Sequence, residues 1–296
     1  MSADPAVFDA LRPHLLRVGY RVTGSLADAE DAVQDAWLRW SVHADEVRDP
    51  KAWLTTVVAR IGLDRLTSAA ARRESYVGPW LPEPLVTTPE DDGPLARVVR
   101  GEDVRLAALL VLETLSPAQR VALVLHDALD TPFVRIAEVL GCSEEAARAH
   151  ASRARRKVGE AALPARVPAA AEQAVLAAFA EAMARGDWPA VVRLLHPDVV
   201  FTGDGGGIAP NALRPVAGAD RVARLLAGLM DRYGPELDPA TWRPVLVNGE
   251  PGFTTPATAS LPASAGAFTV GPGPDGRFVV TAVWHVGNPE KLHVWW

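Results

Sequence analysis

The chain has one cysteine, Cys142, among its 296 residues. A single thiol allows neither a disulfide within the chain nor a zinc site built from cysteines. Long apolar runs are also missing, because the longest, Leu106 to Leu112, is far too short to span a bilayer. The first residues do not resemble a signal peptide, so we expect a soluble, cytoplasmic protein without a metal or a cofactor.

Positive charge is scarce over the chain as a whole, whose formal net charge is -6. An even distribution of that charge would disfavour a nucleic-acid partner. Binding responds, however, to the field within about a Debye length, or roughly 10 Å. The cluster from Arg148 to Lys157 therefore counts for more than the total. The length of the chain predicts two or three domains rather than one core.

The segment from Pro132 to Val158 has the pattern of two short helices around a tight turn. Gly141 tolerates a positive φ at the end of the first helix, and Ser143 is placed to cap the second. An apolar stripe on the first helix comprises Val134, Ile136, Ala137, Val139 and Leu140. A seam of mostly small residues on the second comprises Ala147, Ala151, Ala154 and Val158. Small residues let helices approach closely, as a helix-turn-helix requires.

The opposite face of the second helix is basic and polar. It carries Arg148, Ser152, Arg153 and Arg156, with Arg155 and Lys157 at its flanks. Such a face can meet phosphates and guanine edges in a DNA major groove. The alternative is a solvated basic helix at the end of a bundle, which the turn and the seam together disfavour.

The first helical run is predicted to break at Thr23-Gly24-Ser25, and an acidic helix is predicted after this break. It carries Asp28, Glu30, Asp31, Gln34 and Asp35, together with Trp37 and Trp40. Acidic groups three and four positions apart repel one another, so this face is favourable only against a basic partner. The simpler interpretation is a solvated first turn stabilised by the helix dipole. The two tryptophans favour a docking surface.

A third helix, beginning near Pro50, combines basic residues with an aromatic side chain. The segment carries Arg48, Lys51, Trp53, Arg60, Arg65, Arg72 and Arg73. Arginine can contact the phosphates of single-stranded DNA while apolar or aromatic walls receive exposed bases. The alternative for Trp53 is a position in the helical core.

The composition changes after this helical part. The stretch from Gly78 to Pro94 is dense in proline and acid, so we expect a linker without regular structure in which Trp80 and Leu81 need a packing partner. A second helical segment follows, up to about Ala162. Beyond a connector at residues 163–168, helices and then strands suggest an α+β domain with a curved sheet around a cavity. Its predicted strands include Val199 to Thr202 and Ala267 to Val270.

At this point the residues carry a family resemblance. The runs DAEDAVQDAWLRW and DPKAWLTTVVARIGLDRL resemble region 2 of extracytoplasmic-function sigma factors, and LSPAQRVALVLHDALDTPFVRIAEVLGCSEEAARAHASRARRKV resembles their region 4. The motifs WLPEP, DGGG (Asp204 to Gly207) and NPEKL (Asn288 to Leu292) resemble those of the subgroup with a fused SnoaL-like domain. Together they cover nearly the whole chain in the expected order.

The resemblance implies four parts and a division of roles. The parts are a region 2 helical domain at 1–78, a linker at 79–94, a region 4 helix-turn-helix domain at 95–162 and a SnoaL-like α+β domain at 168–296. The acidic helix would bind the β′ clamp of RNA polymerase core, and the segment with Arg48, Lys51, Trp53 and Arg60 would recognise and open the minus-10 element, with its pocket in the loop at 44–51. The second helix of the helix-turn-helix would bind the minus-35 element.

The expected function is that of a sigma factor, which directs the polymerase core to promoters and is not an enzyme. Regulatory contacts are expected at Trp80, Leu81, Asp204, Gly205, Asn288 and Lys291, where the C-terminal domain would hold the linker and both helical domains. The segment DGGG lacks the end of a phosphate-binding loop, so we expect a tight turn with exposed backbone.

Two other functions remain open from the residues. One is a ligand-sensing regulator, which would need the helix-turn-helix and the cavity but not the acidic docking helix. The other is a SnoaL-type cyclase or isomerase with accessory helices, for which His196, Asp204 and His285 are the candidate residues. A lone Asp or His in a cavity is more often structural.

Overall fold

The protein is described from a computed structural model. It covers residues 4–73, 76–88, 90–91, 93–100, 104–127, 129–160, 167–237 and 241–292. The chain divides into two compact units: the helical unit, residues 1–75 and 91–162, and the C-terminal unit, residues 76–90 and 163–296. The linker segment that follows the third helix is thus part of the C-terminal unit. No helix in the described ranges is long and apolar enough to cross a membrane.

The first three helices of the helical unit pack against one another. They are α1 (Pro5–Thr23), α2 (Leu26–His43) and α3 (Pro50–Arg73). The break between α1 and α2 lies where the sequence predicts it, because Gly24 ends α1 with a φ of 72° and Ser25 accepts a hydrogen bond from the Asp28 amide. The last side chains of α3, including Arg72 and Arg73, lie outside the described part.

Five more helices complete the described helical unit. They are α4 (Pro94–Arg100), α5 (Leu106–Glu113), α6 (Pro117–Asp127), α7 (Phe133–Leu140) and α8 (Glu144–Glu160). Helix α8 packs against α6 and α7, while α6 and α7 also contact α3. The buried Arg120 on α6 joins the two sets of helices, since its Nε donates to the Arg21 carbonyl at 3.0 Å and its guanidinium pairs with Glu113.

The C-terminal unit combines helices with one mixed sheet. Its helices are α9 (Ala169–Arg185), α10 (Trp188–Leu194) and α11 (Ala219–Tyr233). Its strands are β1 (Val86–Thr87), β2 (Leu195–Asp204), β3 (Val216–Ala217), β4 (Arg243–Val247), β5 (Glu250–Thr255), β6 (Ser264–Pro272) and β7 (Phe278–Val286). The strand order is β1-β4-β5-β6-β7-β2-β3, in which β2 and β7 are parallel and the other neighbours antiparallel.

The sheet and its helices share a core that includes Phe179, Val191, Val199, Val222 and Val280. This α+β fold, which follows two sets of helices, confirms the predicted fold class. The predicted strand at Val199 to Thr202 is longer in the structure, because β2 already begins at Leu195, directly after α10. The connector predicted at 163–168 lies outside the described residues except for its last two positions.

One expectation about the linker was wrong. The linker was expected to contain no regular element, but Val86 and Thr87 form β1 and pair with Val247 and Leu246. The segment from Thr254 to Gly276 is rich in proline and small residues, and β6 occupies its centre. Its small residues are needed there, because a Cβ on Gly266 would lie 2.5 Å from the Phe253 ring. A close approach of neighbouring side chains explains the composition.

Candidate functional site

The turn of the helix-turn-helix is built as its residues predict. Gly141 ends α7 with a φ of 62°, and the Ser143 Oγ accepts from the Ala146 amide at 3.1 Å. The seam residues Ala147, Ala151 and Ala154 on α8 are fully buried, and Val158 is half-buried. One member of the predicted stripe differs, because Val134 is 52% exposed and lies outside the core.

The polar face of α8 remains accessible at the positions that the sequence singles out. Ser152, Arg153 and Arg156 are exposed, and Arg153 lies 3.2 Å from the His150 ring nitrogen. Arg148 is exposed as well; it pairs with Glu144 and stacks over the Phe133 ring, 4.8 Å from its centroid.

The flanking Arg155 is held within the helical unit. Its Nε and Nη2 both bind Asp127, at 2.8 and 2.5 Å. Such a bidentate pair fixes the guanidinium against α6. Arg155 therefore supports α8, whereas Ser152, Arg153 and Arg156 form an exposed polar surface on this helix.

The acidic helix is α2, and two of its carboxylates have a partner in the same unit. Arg65 on α3 binds Asp28 at 2.8 Å and Asp31 at 3.1 Å. Partial burial acts to lower the pKa of Arg65, but the two carboxylates outweigh burial and raise that pKa above its ordinary value. Glu30 and Gln34 are exposed, while Asp35 is half-buried. The five predicted residues therefore share one helix but differ in their surroundings.

The two tryptophans of α2 do not form the docking surface that the sequence suggested. Trp40 is buried, and Trp37 is half-buried with its ring centroid 4.8 Å from that of Phe8. They pack against α1 because this is where α2 buries its apolar face. The exposed apolar side chains of α2 are instead Leu38 and Val42, at 56% and 78% exposure.

The predicted minus-10 residues lie along α3 and the loop before it. Arg48, Lys51 and Arg60 are exposed, and Trp53 is half-buried. The loop contains a 3₁₀ turn at Ala44–Glu46. Burial, together with the charges of Lys51 and Arg17, lowers the pKa of His14 to about 4. Lys51 and Arg17 therefore lie close enough to His14 to disfavour its protonation.

A cluster of polar side chains and backbone groups in the C-terminal unit holds the linker segment. We call it the linker-binding cluster; it comprises Tyr76, Leu81, Asp204, Asn288 and Lys291. Asp204 is fully buried at the end of β2 and accepts hydrogen bonds from the Tyr76 hydroxyl at 2.5 Å and from the Leu81 amide at 2.8 Å. Lys291 Nζ lies 2.6 Å from the same carboxylate.

Lys291 also contacts the linker directly. Its Nζ donates to the Leu81 carbonyl at 2.5 Å and lies 4.1 Å from the centroid of the Trp80 ring. A cation over an aromatic face adds to the attraction. Asn288 donates to the Tyr76 hydroxyl at 2.9 Å. Burial, with the hydrogen bond and charge of Asp204, raises the pKa of Tyr76.

The glycines after Asp204 are needed for close approach. A Cβ on Gly205 would lie 2.3 Å from the Ala209 carbonyl oxygen, and Gly206 has a φ of 61° with Asn288 beside it. The expectation of an exposed turn was partly wrong, because Asp204 and Gly205 are buried. Asp204 turns inward to its hydrogen-bond donors, and Gly207 is the exposed residue of the turn.

The C-terminal unit encloses a cavity of about 920 Å³ between its helices and the sheet. Of the three residues considered for catalysis, His285 lines this cavity, whereas His196 and Asp204 do not. His196 instead accepts from the Asp198 amide at 3.0 Å. Burial lowers the pKa of His285 to about 4, although the Asp204 charge acts in the opposite direction.

Several of these residues were not predicted. Tyr76 and Arg120 are long-range partners that no local spacing reveals, and the pairing of Arg65 with Asp28 and Asp31 joins two helices that the sequence suggested would bind different partners. The basic residues on α3 were a partial signal for this pairing, because an arginine on one helix can bind the carboxylates of a neighbouring acidic helix.

Comparison with known families matches each of these parts. The model described as Sigma-70 region 2 matches residues 7–72, and that described as Sigma-70, region 4 matches residues 105–158. The model of the SnoaL-like domain matches residues 176–292. The helical unit is thus of the sigma-70 type, followed by a SnoaL-like domain.

Individual relatives narrow this class. The chain is 53% identical to the ECF RNA polymerase sigma factor SigJ of Mycobacterium tuberculosis, over 96% of this chain and 92% of the relative. It is 36% identical to the probable ECF RNA polymerase sigma factor SigI of the same species, over 74% and 75%. The crystal structure of M. tuberculosis SigJ superposes with a TM-score of 0.81 at 49% identity, covering 98% of both chains. The chain belongs to the extracytoplasmic-function RNA polymerase sigma factors.

Proposed function

We propose that the chain binds RNA polymerase core in the cytoplasm and directs it to promoters through minus-10 and minus-35 contacts. The observation that carries this proposal is α8, which has a fully buried seam of alanines on one side and an accessible arginine face on the other. A helix anchored in this way can enter a major groove without unfolding any part of its domain.

In the minus-35 contact, the exposed side chains of Arg153 and Arg156 can reach bases or phosphates, and Arg153 exchanges its contact with the His150 ring for one with DNA. Arg148 must leave Glu144 to do so, but an exposed pair of this spacing contributes only about 0.3 to 0.5 kcal/mol. A contact with a guanine edge would recover about 1 to 3 kcal/mol. Release of Arg148 onto DNA is therefore favourable.

For the minus-10 contact, we assign Arg48, Lys51 and Arg60 to the DNA backbone. The side chains of all three are exposed. Trp53 is half-buried at the start of α3 and can offer an apolar wall to an unstacked base from the loop at 44–51. Unstacking costs a few kcal/mol, which such stacking offsets.

For the polymerase, we assign the surface of α2 to the β′ clamp. Glu30 and Gln34 are exposed polar residues of this helix, and the exposed Leu38 adds an apolar contact. Asp28 and Asp31 remain part of this surface, but Arg65 already neutralises a share of their charge. We therefore expect substitution of Glu30 to weaken core binding more than substitution of Asp31.

We propose that the C-terminal unit regulates initiation and is not an enzyme. Asp204 is committed to Tyr76, Leu81 and Lys291, so it has no role in cavity chemistry. Asp204, Asn288 and Lys291 bind Tyr76, Trp80 and Leu81, and the unit thereby fixes the course of the linker that joins the two DNA-binding regions. Gly205 allows the close turn that follows Asp204. A change in these contacts changes the freedom of those regions to bind promoter elements together.

The test is run-off transcription with purified core and the full-length chain. Variants Arg153→Ala and Glu30→Ala should each lower transcription, the first by weakening promoter binding and the second by weakening core binding in a pull-down. Arg277→Met is a matched control, because Arg277 is 83% exposed and pairs only with the neighbouring Asp275 among the described contacts. A chain that does not bind core contradicts the whole proposal.

Regulation is tested in the same assay with Lys291→Met. This variant removes one cation from the linker-binding cluster and, like the control Arg277→Met, changes the net charge by one. We expect transcription to differ from that of the control when core and promoter are limiting. Equal output from the two variants would contradict a regulatory role of the cluster, while leaving promoter recognition unaffected.

A further inference from the structure

The cavity of the C-terminal unit has the size and the surface of a small-molecule site. Its volume is about 920 Å³, at the upper end of the roughly 300 to 1,000 Å³ of known ligand pockets. The lining is largely apolar and aromatic, with Leu176, Phe179, Leu225, Leu229, Phe253 and Phe268 among its members. Filling such a space removes apolar surface from water, which favours binding.

A hydrogen-bond donor lies in this wall. Asn211 accepts from the Ala212 amide through its Oδ1, so its Nδ2 is the atom that faces the His285 Nδ1 at 3.1 Å. The Nδ1 of a neutral His285 is then an acceptor, and the proton is on Nε2. The described residues offer this Nε2 no acceptor.

Trp242 provides a second unused donor in the lining. Its ring stacks on Phe253 with centroids 4.7 Å apart, and its buried Nε1 has no hydrogen-bond partner among the described residues. A buried donor without an acceptor costs about 1 to 3 kcal/mol. A bound molecule that supplies an acceptor would remove that cost.

The charges around the cavity indicate that its ligand is neutral. The charged residues in its described lining are Arg224, Arg232 and Glu236. Both arginines are exposed, and Glu236 is bound by Thr258 and Ser260. His285 stays uncharged at neutral pH, because burial lowers its pKa to about 4. An anion inside would therefore lose its hydration without gaining a buried cation.

We propose that this cavity binds a neutral aromatic or polycyclic molecule whose carbonyl or ether oxygen accepts a hydrogen bond from His285 Nε2. This inference goes beyond promoter recognition, and it requires neither polymerase nor DNA. It also differs from catalysis, because a neutral His285 beside an uncharged amide serves to orient an acceptor. The apolar walls supply affinity, and the donor selects the chemical class.

The first test uses the full-length chain and prodan, a neutral fluorescent naphthalene ketone whose emission shifts to the blue in apolar surroundings. Prodan should bind saturably with a blue shift. Acetylnaphthalene should displace it, whereas naphthoate, of similar size but charged, should need at least a tenfold higher concentration. Absence of saturable binding, or equal competition by the two compounds, would overturn the proposal.

Variants then locate the site. Leu229→Trp adds bulk to the lining and should reduce prodan affinity at least tenfold, whereas Val42→Trp, on an exposed position of the helical unit, should not. His285→Phe keeps a ring but removes the donor, so affinity should fall about 3- to 10-fold, the range of one net hydrogen bond.

The donor test needs a control for folding, because His285→Phe leaves the Asn211 amide without its partner. Circular dichroism at 222 nm should match that of the unaltered chain, as expected when the helix content is unchanged. Asn211→Ala/His285→Phe removes the orphaned amide and should show the same loss of affinity. Unchanged affinity in both variants, or in a folded Leu229→Trp variant, would overturn the assignment.

Discussion

Substitution of Lys291 by methionine tests whether the linker-binding cluster is a structural unit. Asp204 is fully buried and would keep three neutral donors, namely the Tyr76 hydroxyl and the amides of Leu81 and Gly206. Removing one partner of a buried ion pair costs about 3 to 5 kcal/mol. Because three donors remain, we take the lower end, about 3 kcal/mol.

Amide hydrogen exchange measures this cost locally. The Leu81 amide donates to Asp204, so opening of the cluster exposes it. A loss of about 3 kcal/mol corresponds to roughly 100-fold faster exchange in a peptide that spans 76–88. The double variant Asp204→Asn/Lys291→Met no longer buries an unpaired charge, and its exchange should be slower than that of Lys291→Met alone.

The matched control is again Arg277→Met, whose side chain is exposed in the same unit. It should leave exchange of the linker peptide unchanged. If Lys291→Met and Arg277→Met exchange at the same rate over 76–88, the reasoning from the buried pair is refuted.

Three further predictions concern other parts of the chain. Gly141→Val places a β-branched residue at a φ of 62° and should lower the free energy of unfolding by at least about 1 to 2 kcal/mol, measured by urea denaturation with Val134→Ala as an exposed control. The His285 ring, assigned in proton NMR spectra by comparison with His285→Gln, should titrate near pH 4, and a titration near 6.5 would contradict its burial. Because the folded pKa of His285 is lowered, its contribution to the free energy of unfolding is present above about pH 6.5 and is lost as the pH falls towards 4. Arg153→Ala should weaken promoter binding by about 1 to 3 kcal/mol if the side chain contacts a base, and should mainly reduce the salt dependence if it contacts a phosphate; full binding at every salt concentration would remove α8 from the groove.

The helix-turn-helix could be predicted because its determinants are local. Gly141, Ser143 and the alanine seam lie within about four helical turns, where the spacing alone indicates which residues share a face. The same reasoning placed the break at Gly24 and the start of α3 at Pro50. It was wrong for Val134, because an apolar residue at the edge of a stripe can remain exposed.

Long-range contacts could not be predicted from spacing. Leu81 and Asp204 are 123 positions apart, and only the family resemblance placed them in one set of contacts. The role of Trp40 was misjudged for a related reason. A tryptophan beside charges indicates an interface as readily as a core, and the spacing along α2 does not reveal that this ring packs against Phe8 of α1.

The parallel pairing of β2 with β7 has a consequence for signalling. Phe201 and His285 line the cavity, and Asp204 lies three residues beyond Phe201, about 10 Å along the same strand. On the neighbouring strand, Asn288 follows His285 by three residues, just beyond the end of β7 at Val286. Two adjacent strands thus connect the cavity to the residues that bind the linker. A small displacement of these strands by an occupant would reach Tyr76 directly, which makes the fused domain suited to act as a built-in chemical sensor.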